Sequence, residues 1–486
     1  MLISILLGLL LTIILMFLLD LRKIREFSFY LTLYYFLSSL NSLYEYDTTS
    51  LDFQDCFAYC WSEFFNIYYI ISMDGLSLFF VLLTTFLMPF CLLLSWVNVS
   101  YRLREFAICM VIIEFFLINV FTVLDLFFFY IFFECILIPM FLLIGVWGSR
   151  QRKIHASYQF FLYTLLGSLL MLLAIIYIHI TVGSTDLTIV SEYKFDLNIQ
   201  LILWLCFFLS FAVKIPMIPV HIWLPEAHVE APTSGSVLLA GLLLKMGGYA
   251  ILRFLIPLFN YASFYFMPFV FCLSVISILY SSLTTIRQLD LKKIIAYSSV
   301  AHMNYVTVGV FTYELYGIEG AIYLMLSHGL VSSALFICVG IVYDRYKSRI
   351  LKYYGGLVQL MPLYAFFFFF FSLANMSFPG TSSFVGEILV LISAFSVNTL
   401  LAFYAGFGMV LNGVYVIWLY NRLFFGILNS ETIRYYSDLN KREFFILFPL
   451  FLLVLFFGLK PNSILNIMEY SIMSFIEDML IFNLES

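Results

Sequence analysis

Apolar residues occur in long continuous runs along the chain, and short polar segments separate these runs. Two examples are residues 2–19 and 75–97. A helix needs roughly 20 apolar residues to cross a bilayer, whereas a transmembrane strand alternates apolar and polar positions over about ten residues. Because the runs do not alternate, the pattern predicts transmembrane helices and not a β-barrel.

The pattern predicts an all-α polytopic membrane protein with about 14 transmembrane helices. The predicted spans are 2–19, 27–43, 75–97, 106–122, 124–147, 157–182, 199–222, 233–256, 264–284, 293–312, 318–343, 358–397, 400–425 and 444–459. The second span is the weakest, because it is rich in Tyr and Ser and precedes the polar stretch 41–74. In the tail, residues 461–486, apolar side chains follow helical spacing, which predicts an amphipathic helix on the membrane surface.

Lysine and arginine are unequally divided between the two predicted faces. Most of the 24 basic residues fall in loops after odd-numbered spans: Arg22, Lys23, Arg25, Arg102, Arg104, Arg150, Arg152, Lys153, Arg287, Lys292, Lys293, Arg345, Lys347, Arg349, Lys352, Arg422, Arg434, Lys441 and Arg442. Positive loops stay on the side from which insertion occurs. These loops are therefore predicted to face the matrix or cytoplasm, and both termini to face the opposite, intermembrane-space side.

Composition excludes several classes of protein. Hydrophobic residues make up 63% of the 486 residues and charged residues 11%, against about 45–50% and 25% in soluble domains. This excludes a soluble enzyme, a nucleic-acid binder and a disordered protein. The 57 Phe and 34 Tyr, against 24 Gly and 12 Pro, are typical of AT-rich codons and favour mitochondrial coding. No C-x-x-C pair, P-loop or dinucleotide fingerprint occurs, so we expect no redox centre, cofactor or metal in this chain.

Ionisable residues nevertheless lie within the predicted spans. They are Glu134, Lys214, Lys245, His328 and Glu387. A lysine at the membrane centre costs at least ~2.5–3.5 kcal/mol to insert, and chains retain such residues where they face a protein interior or a proton path. A static Glu134–Lys214 clamp and a core histidine are the structural alternatives. Two weaker candidates, Glu114 and His179, are better explained by helix packing and by an interfacial position. The spread of acids, lysines and an imidazole over five helices favours a proton path.

Two spans are interrupted next to these residues. Pro216 and Pro219 follow Lys214 in span seven, and the segment 375–383 precedes Glu387 in span twelve. Broken helices in corresponding positions of oppositely oriented halves are typical of inverted repeats that enclose a transport site. We therefore expect two inverted five-helix repeats with helices seven and twelve broken. The predicted regions are 1–105, peripheral helices; 106–256, the first repeat and uptake half; 264–425, the second repeat and exit half; and 426–486, the last span and amphipathic helix.

Three stretches carry a family resemblance. The run FAVKIPMIPVHIWLPEAHVEAPTSGSVLLAGLLLKMGGYA, residues 211–250, resembles the antiporter-like proton-pumping membrane subunits of respiratory complex I. The FFECILIPMFLLIGVWG stretch and the Ser327–His328–Gly329 region resemble them too. The LPEAHVEAP form of the loop distinguishes this chain from chain 5 of the family. Glu387 is a glutamate where chains 2 and 5 resemble each other in using lysine, and chain 2 is the lesser alternative. The resemblance covers about residues 75–425.

The resemblance implies a role for each ionisable residue. Glu134 is similar to the acid that pairs with the span-seven lysine, Lys214. Lys245 is similar to the central connecting lysine, and His302 and His328 to the histidines that link it to the exit half. Glu387 is similar to the terminal proton carrier. Asp125, near the start of span five, is the candidate on the uptake side.

The resemblance also implies the setting. NADH, FMN, Fe–S clusters and ubiquinone would be held by partner subunits, and the partners would be other complex I membrane subunits, including chains 2 and 5, with lipids of the mitochondrial inner membrane. The function implied is proton translocation coupled to NADH:ubiquinone electron transfer. A stand-alone Na⁺ or K⁺/H⁺ antiporter subunit of the same ancestry is the alternative, and a purely structural membrane spacer is a third hypothesis that the buried charges disfavour.

Overall fold

The computed structural model describes residues 2–50, 52–427 and 437–485. Helices dominate these residues, so the all-α prediction is confirmed apart from one β-hairpin. Arg434, one of the basic residues of the predicted topology, and part of the region 426–486 lie outside the described residues.

The first half of the chain contains thirteen α-helical segments and two strands within the described residues. Their bounds are α1 Leu2–Leu18, α2 Leu21–Glu45, β1 Gln54–Ser62, β2 Ile67–Met73, α3 Gly75–Asn98, α4 Leu103–Thr122, α5 Leu126–Cys135, α6 Leu137–Trp147, α7 Lys153–Val182, α8 Leu187–Glu192, α9 Leu197–Lys214, α10 Trp223–Glu230, α11 Thr233–Leu238, α12 Leu244–Ala250 and α13 Ile256–Leu258. Two π-helical segments, Leu239–Leu243 and Ile251–Leu255, join the last three into one continuous helix.

The second half continues with long helices. Their bounds are α14 Asn260–Arg287, α15 Leu291–Val310, α16 Leu315–Tyr346, a 3₁₀ turn Leu351–Tyr353, α17 Leu357–Leu360, α18 Pro362–Asn375, α19 Ser382–Val397, α20 Thr399–Phe424, α21 Lys441–Leu459 and α22 Asn462–Glu485. A helix or a broken pair of helices occupies each of the predicted spans. In the described part of the chain, 10 helices are long and apolar enough to cross a membrane, so the number of spans and the inverted repeats stay predictions.

The polar stretch between the second and third spans forms a hairpin that the sequence analysis did not predict. β1 and β2 pair antiparallel, with Tyr59 opposite Tyr69. The hairpin packs against the short link between α4 and α5. Val123 in this link forms a β-bridge with Ile71, and the Leu124 N–H donates to the Ile70 carbonyl. Tyr, Ile and Trp side chains on these strands fit a pleated surface, which explains why this segment is not helical.

Both predicted helix breaks are present, and neighbouring polar groups satisfy their freed backbone. After α9 ends at Lys214, the Ile218 N–H donates to the Ser277 hydroxyl at 3.0 Å, and the Trp223 indole donates to the Val213 carbonyl at 2.9 Å. After α18 ends at Asn375, the Asn412 amide donates to the Asn375 carbonyl at 2.9 Å. Non-helical backbone at membrane depth requires such partners, because lipid provides none.

The helix formed by α11–α13 and helix α16 are buried within the protein, whereas α7, α14 and α20 expose much of their length. Gly247 makes close packing possible at the centre, since a Cβ there would lie 2.7 Å from Ile215 Cγ1 beside the first break. Gly386 does the same on α19, where a Cβ would lie 2.8 Å from the Leu324 backbone nitrogen. The central helix is therefore held against the first break, and α16 against the helix that follows the second break.

Candidate functional site

Lys245 and His328 form the first hydrogen-bonded pair of the candidate site. Lys245 lies on α12, between the two π-helical segments, and is fully buried. Its Nζ lies 2.8 Å from Nδ1 of His328 on α16 and donates to the Ala240 carbonyl at 2.5 Å. Ala240 belongs to the first π segment, and π turns inside α-helices are frequent at functional sites. The His328 ring and the Ala240 carbonyl thus stabilise a buried lysine amine that apolar surroundings alone would destabilise.

His302 and Glu387 form the second pair. His302 Nδ1 on α15 lies 2.8 Å from Glu387 Oε1 on α19, and both side chains are buried. The Asn412 amide nitrogen lies 3.4 Å from His302 Nε2 while it donates to the Asn375 carbonyl. The amide nitrogen can donate to Nε2 only when that ring nitrogen carries no proton, and Nδ1 then carries the proton directed at Glu387. Asn412 thereby connects the pair to the second helix break.

A gap separates the two pairs. The ring centroids of His302 and His328 lie 5.7 Å apart with planes inclined at 47°. His328 Nε2 has no hydrogen-bonding partner among the described residues. The chain Lys245–His328–His302–Glu387 is therefore two tight pairs joined by one open step.

Lys214 and Glu134 are arranged more loosely. Lys214, at the end of α9, is buried, and its Nζ has no hydrogen-bonding partner in the described chain. Instead Nζ lies 4.6 Å from the centroid of the Phe133 ring. The Glu134 carboxyl interacts electrostatically with Lys214 and lies beside the Ser168 hydroxyl, and no described residue forms a hydrogen bond with its Oε1. The structure places the two residues near each other but without a direct ion pair.

Asp125 is accounted for as a helix cap. Its Oδ1 accepts from the Phe127 and Phe128 N–H groups at 2.9 and 3.0 Å, and its Oδ2 accepts from the Thr185 hydroxyl at 2.5 Å. Asp125 lies at the hairpin end of the molecule, and its role in proton uptake stays a prediction.

Two hydroxyl groups at the second break bond to the backbone of the break, whereas the Ser377 and Ser382 hydroxyls have no hydrogen-bonding partner among the described residues. Thr381 donates to the Phe378 carbonyl at 2.8 Å, and Ser383 donates to the Ala374 carbonyl. Glu387 itself is paired with His302, and its Oε2 has no partner among the described residues. The Thr381 and Ser383 hydroxyls thus stabilise the break rather than the carboxyl.

Two fully buried ionisable residues were missed or given little importance by the sequence analysis. His228, on α10, has no hydrogen-bonding partner in the described chain for either ring nitrogen. Glu114, on α4, has none for either oxygen. His228 lies in the motif LPEAHVEAP, two residues from an acid on either side. That position was the signal from which a buried ionisable residue could have been predicted.

A direct ion pair lies outside this chain of residues. Asp74, which caps α3, contacts Arg253 at 2.5 Å and also accepts from the Ser77 N–H at 2.9 Å. Burial alone would raise the pKa of Asp74, but Arg253 and Ser77 together hold it below its ordinary value. Within the described residues, no cluster of His, Cys, Asp and Glu could hold a metal ion.

Comparison with known proteins identifies the class. The family described as "NADH:quinone oxidoreductase/Mrp antiporter, TM" matches residues 124–412, which include Asp125, Glu134, Lys214, Lys245, His302, His328 and Glu387. The chain belongs to this family of antiporter-like membrane proteins.

Relatives within the family indicate a particular member. The chain is 56% identical over 453 residues to NADH-ubiquinone oxidoreductase chain 4 of Chondrus crispus, covering 93% of this chain and 92% of that one. It is 55% identical to chain 4 of Arabidopsis thaliana, with 94% and 92% covered. NADH-quinone oxidoreductase subunit M of Rhodobacter capsulatus is 47% identical, with 85% and 83% covered. The predicted resemblance is confirmed.

Solved structures support the same fold. A chain of respiratory complex I from Thermus thermophilus with bound NADH superimposes with a TM-score of 0.88 at 27% identity, with 98% of this chain and 99% of that chain covered. A chain of the Mrp complex from Dietzia sp. superimposes with a TM-score of 0.85 at 18% identity, with 98% and 99% covered. The second likeness concerns the fold alone.

Proposed function

We propose that this chain is a proton-translocating membrane subunit of NADH:ubiquinone oxidoreductase, respiratory complex I. The observation that carries the proposal is a row of four buried ionisable side chains on four different helices. They form two hydrogen-bonded pairs, Lys245–His328 and His302–Glu387. Buried acids, histidines and lysines in such sequences are typical of proton relays in pumps. The likeness to chain 4 of several organisms supports the choice of complex I.

Each proposed step moves a proton between two named groups. Lys245 gives a proton to His328 Nδ1, whose ring releases one from Nε2 across the open step to His302. His302 then gives its Nδ1 proton to Glu387, which releases it to water on the exit side. Lys214 and Glu134 change charge together, because a lysine without a hydrogen-bonding partner depends on the nearby carboxylate to remain cationic. The charge on this pair thereby influences Lys245 on the adjacent helix.

We infer the cellular setting from the relatives. Electron transfer through NADH, FMN, Fe–S clusters and ubiquinone takes place in partner subunits, and chains 2 and 5 are the proposed homologous neighbours. The chain spans the mitochondrial inner membrane with both termini on the intermembrane-space side, as the basic loops predict. The stand-alone antiporter stays the alternative; the Mrp likeness at 18% identity does not favour it.

Purification from native membranes tests the assignment. The chain should co-migrate with subunits that carry flavin and Fe–S clusters, and the purified complex should acidify one side of a vesicle while it oxidises NADH. Co-migration with antiporter subunits alone, with Na⁺- or K⁺-dependent proton exchange, would contradict the complex I assignment and support the alternative.

A further inference from the structure

An open cavity of about 650 Å³ lies at the end of the molecule that carries the basic loops. It is bounded by the ends of α7, α10, α14 and α15 and by the loop after α16. Among the described residues that line it, four are cations and three are acids: Arg150, Arg152, Arg287, Lys293, Glu226, Glu230 and Asp290. These side chains are separate from the four that form the proposed relay.

The acids do not balance the cations of this cavity. Glu226 Oε1 lies 2.7 Å from Lys293 Nζ, so these two neutralise each other. Asp290 caps α15, and its Oδ1 accepts from the Lys292 N–H at 3.1 Å. Glu230 is buried, and its Oε2 has no hydrogen-bonding partner among the described residues. Even if Asp290 and Glu230 each neutralise one cation, the three arginines at the rim keep an excess of positive charge.

Two buried cations lie behind the cavity wall. Arg349 donates through Nη1 to the carbonyl of Val229, a lining residue, and its Nε and Nη2 have no partner among the described residues. Lys292 donates to the Ala231 carbonyl at 2.8 Å. Arg349 interacts repulsively with both Arg150 and Lys292. Because like charges destabilise one another and buried donors need partners, an anion in the cavity would stabilise this arrangement.

The cavity lies at the ends of helices that face lipid. Both α7 and α14 expose much of their length, and Arg152 directly precedes α7 while Arg287 ends α14. Leu289, also in the lining, is an exposed apolar side chain. Basic pockets between transmembrane helices on the side of the positive loops bind lipid head groups. Arginine forks match phosphate oxygens in geometry as well as charge.

We propose that this cavity binds a phosphate group, supplied by an anionic phospholipid of the leaflet on the side of the basic loops. Arg150, Arg152 and Arg287 hold the phosphate oxygens at the rim, and Arg349 attracts their charge from behind. The acyl chains lie along the exposed faces of α7 and α14. Glu230 opposes binding, since its carboxylate repels the phosphate. The bound lipid ties together loops that are distant in the sequence, and this role does not depend on proton translocation.

Modification of arginine by phenylglyoxal tests the site in the purified complex, with mass spectrometry reading the extent of reaction at each arginine. The complex is placed in vesicles of phosphatidylcholine alone or of phosphatidylcholine with phosphatidylglycerol. Arg150 and Arg287 should react roughly tenfold more slowly with phosphatidylglycerol present, as for a ligand at about ten times its Kd. Arg422, exposed at the same end but outside this cavity, is the internal control and should react at nearly equal rates.

Inorganic phosphate distinguishes the two sources of the ligand. In a third sample, phosphatidylcholine vesicles are combined with phosphate in the buffer. Protection of Arg150 and Arg287 by phosphatidylglycerol but not by inorganic phosphate would support the lipid. Protection by inorganic phosphate alone would overturn the lipid as the ligand and leave a site for a soluble phosphate.

Two substitutions act in opposite directions. Arg349→Gln removes the buried charge and should weaken the protection of Arg150 roughly tenfold, as expected for one interaction with a charged group. Glu230→Gln removes the opposing carboxylate, so less phosphatidylglycerol should give the same protection. If Arg349→Gln does not assemble, Arg152→Gln at the exposed rim takes its place, with a smaller loss. Equal reaction of Arg150 in all vesicles, or protection that neither arginine substitution changes, would overturn the proposal.

Discussion

The two buried acid–base pairs next to the broken helices differ in how tightly they are held. Glu387 contacts His302 at 2.8 Å, whereas Lys214 lies against the Phe133 ring and has no hydrogen-bonding partner in the described chain. A hydrogen-bonded pair favours one arrangement of the proton, while a lysine beside an aromatic face keeps its charge with less directional constraint. In the proposed relay, the His302–Glu387 pair would transfer a proton directly, and the Glu134–Lys214 pair would respond to the charges around it.

The loose pair should give the largest effect. Lys214→Met removes the cation and leaves Glu134 without its electrostatic partner, so pumping should fall to about a tenth of wild type or less while the complex assembles. Proton translocation and NADH oxidation, measured together in coupled membranes, check this. Near-normal pumping by an assembled mutant would show that the pair is not part of the proton path.

The tight pair should give a graded effect. Glu387→Gln keeps the shape and a hydrogen bond to His302 but cannot titrate. Pumping should therefore fall several-fold, by no more than about tenfold. Glu387→Asp should be milder, because the shorter acid still titrates. The ratio of protons moved to NADH oxidised measures both variants. Equal pumping by Glu387→Gln and wild type would remove Glu387 from the path.

Changing the environment of the loose pair should have a smaller effect. Phe133→Leu deletes the ring beside Lys214 while leaving both charges, and a cation–π contact of this kind is worth about 0.5–2 kcal/mol. We expect pumping to change by about threefold or less, with an altered pH dependence of the rate. If Phe133→Leu lowers pumping as much as Lys214→Met does, proton translocation depends here on the ring and not on the charge pair.

The Asp74–Arg253 ion pair lies outside the proposed proton path, so breaking it should not change pumping. Asp74→Asn breaks the contact with Arg253 and should lower stability by about 3 kcal/mol, seen as a lower melting temperature of the solubilised complex. Because the pKa of Asp74 is lowered in the fold, the stabilisation is present above its ordinary pKa of about 4 and is lost as the pH falls through the lowered value. A pumping defect per assembled complex would mean that this pair also takes part in transport.

The sequence predicted the residues of the site better than their contacts. The cost of burying Lys214, Lys245 and Glu387 in apolar runs is visible without a structure, and so are the prolines that break span seven. Which groups meet depends on how separate helices pack, and no periodicity encodes the 2.8 Å contact between Lys245 and His328. The hairpin was missed because hydropathy describes a polar stretch only as outside the membrane. His228 was missed because its neighbours made the segment resemble a surface loop.

The open step between His302 and His328 has a consequence for energy conservation. An unbroken hydrogen-bonded wire through a membrane protein would conduct in both directions and dissipate the gradient that it helps to build. Because the ring centroids lie 5.7 Å apart and the rings are tilted, conduction requires a side-chain movement or a bridging water molecule. Such an event can be timed by the rest of the complex. In the proposed relay, the gap would prevent this loss, because protons would cross it only when that event occurs.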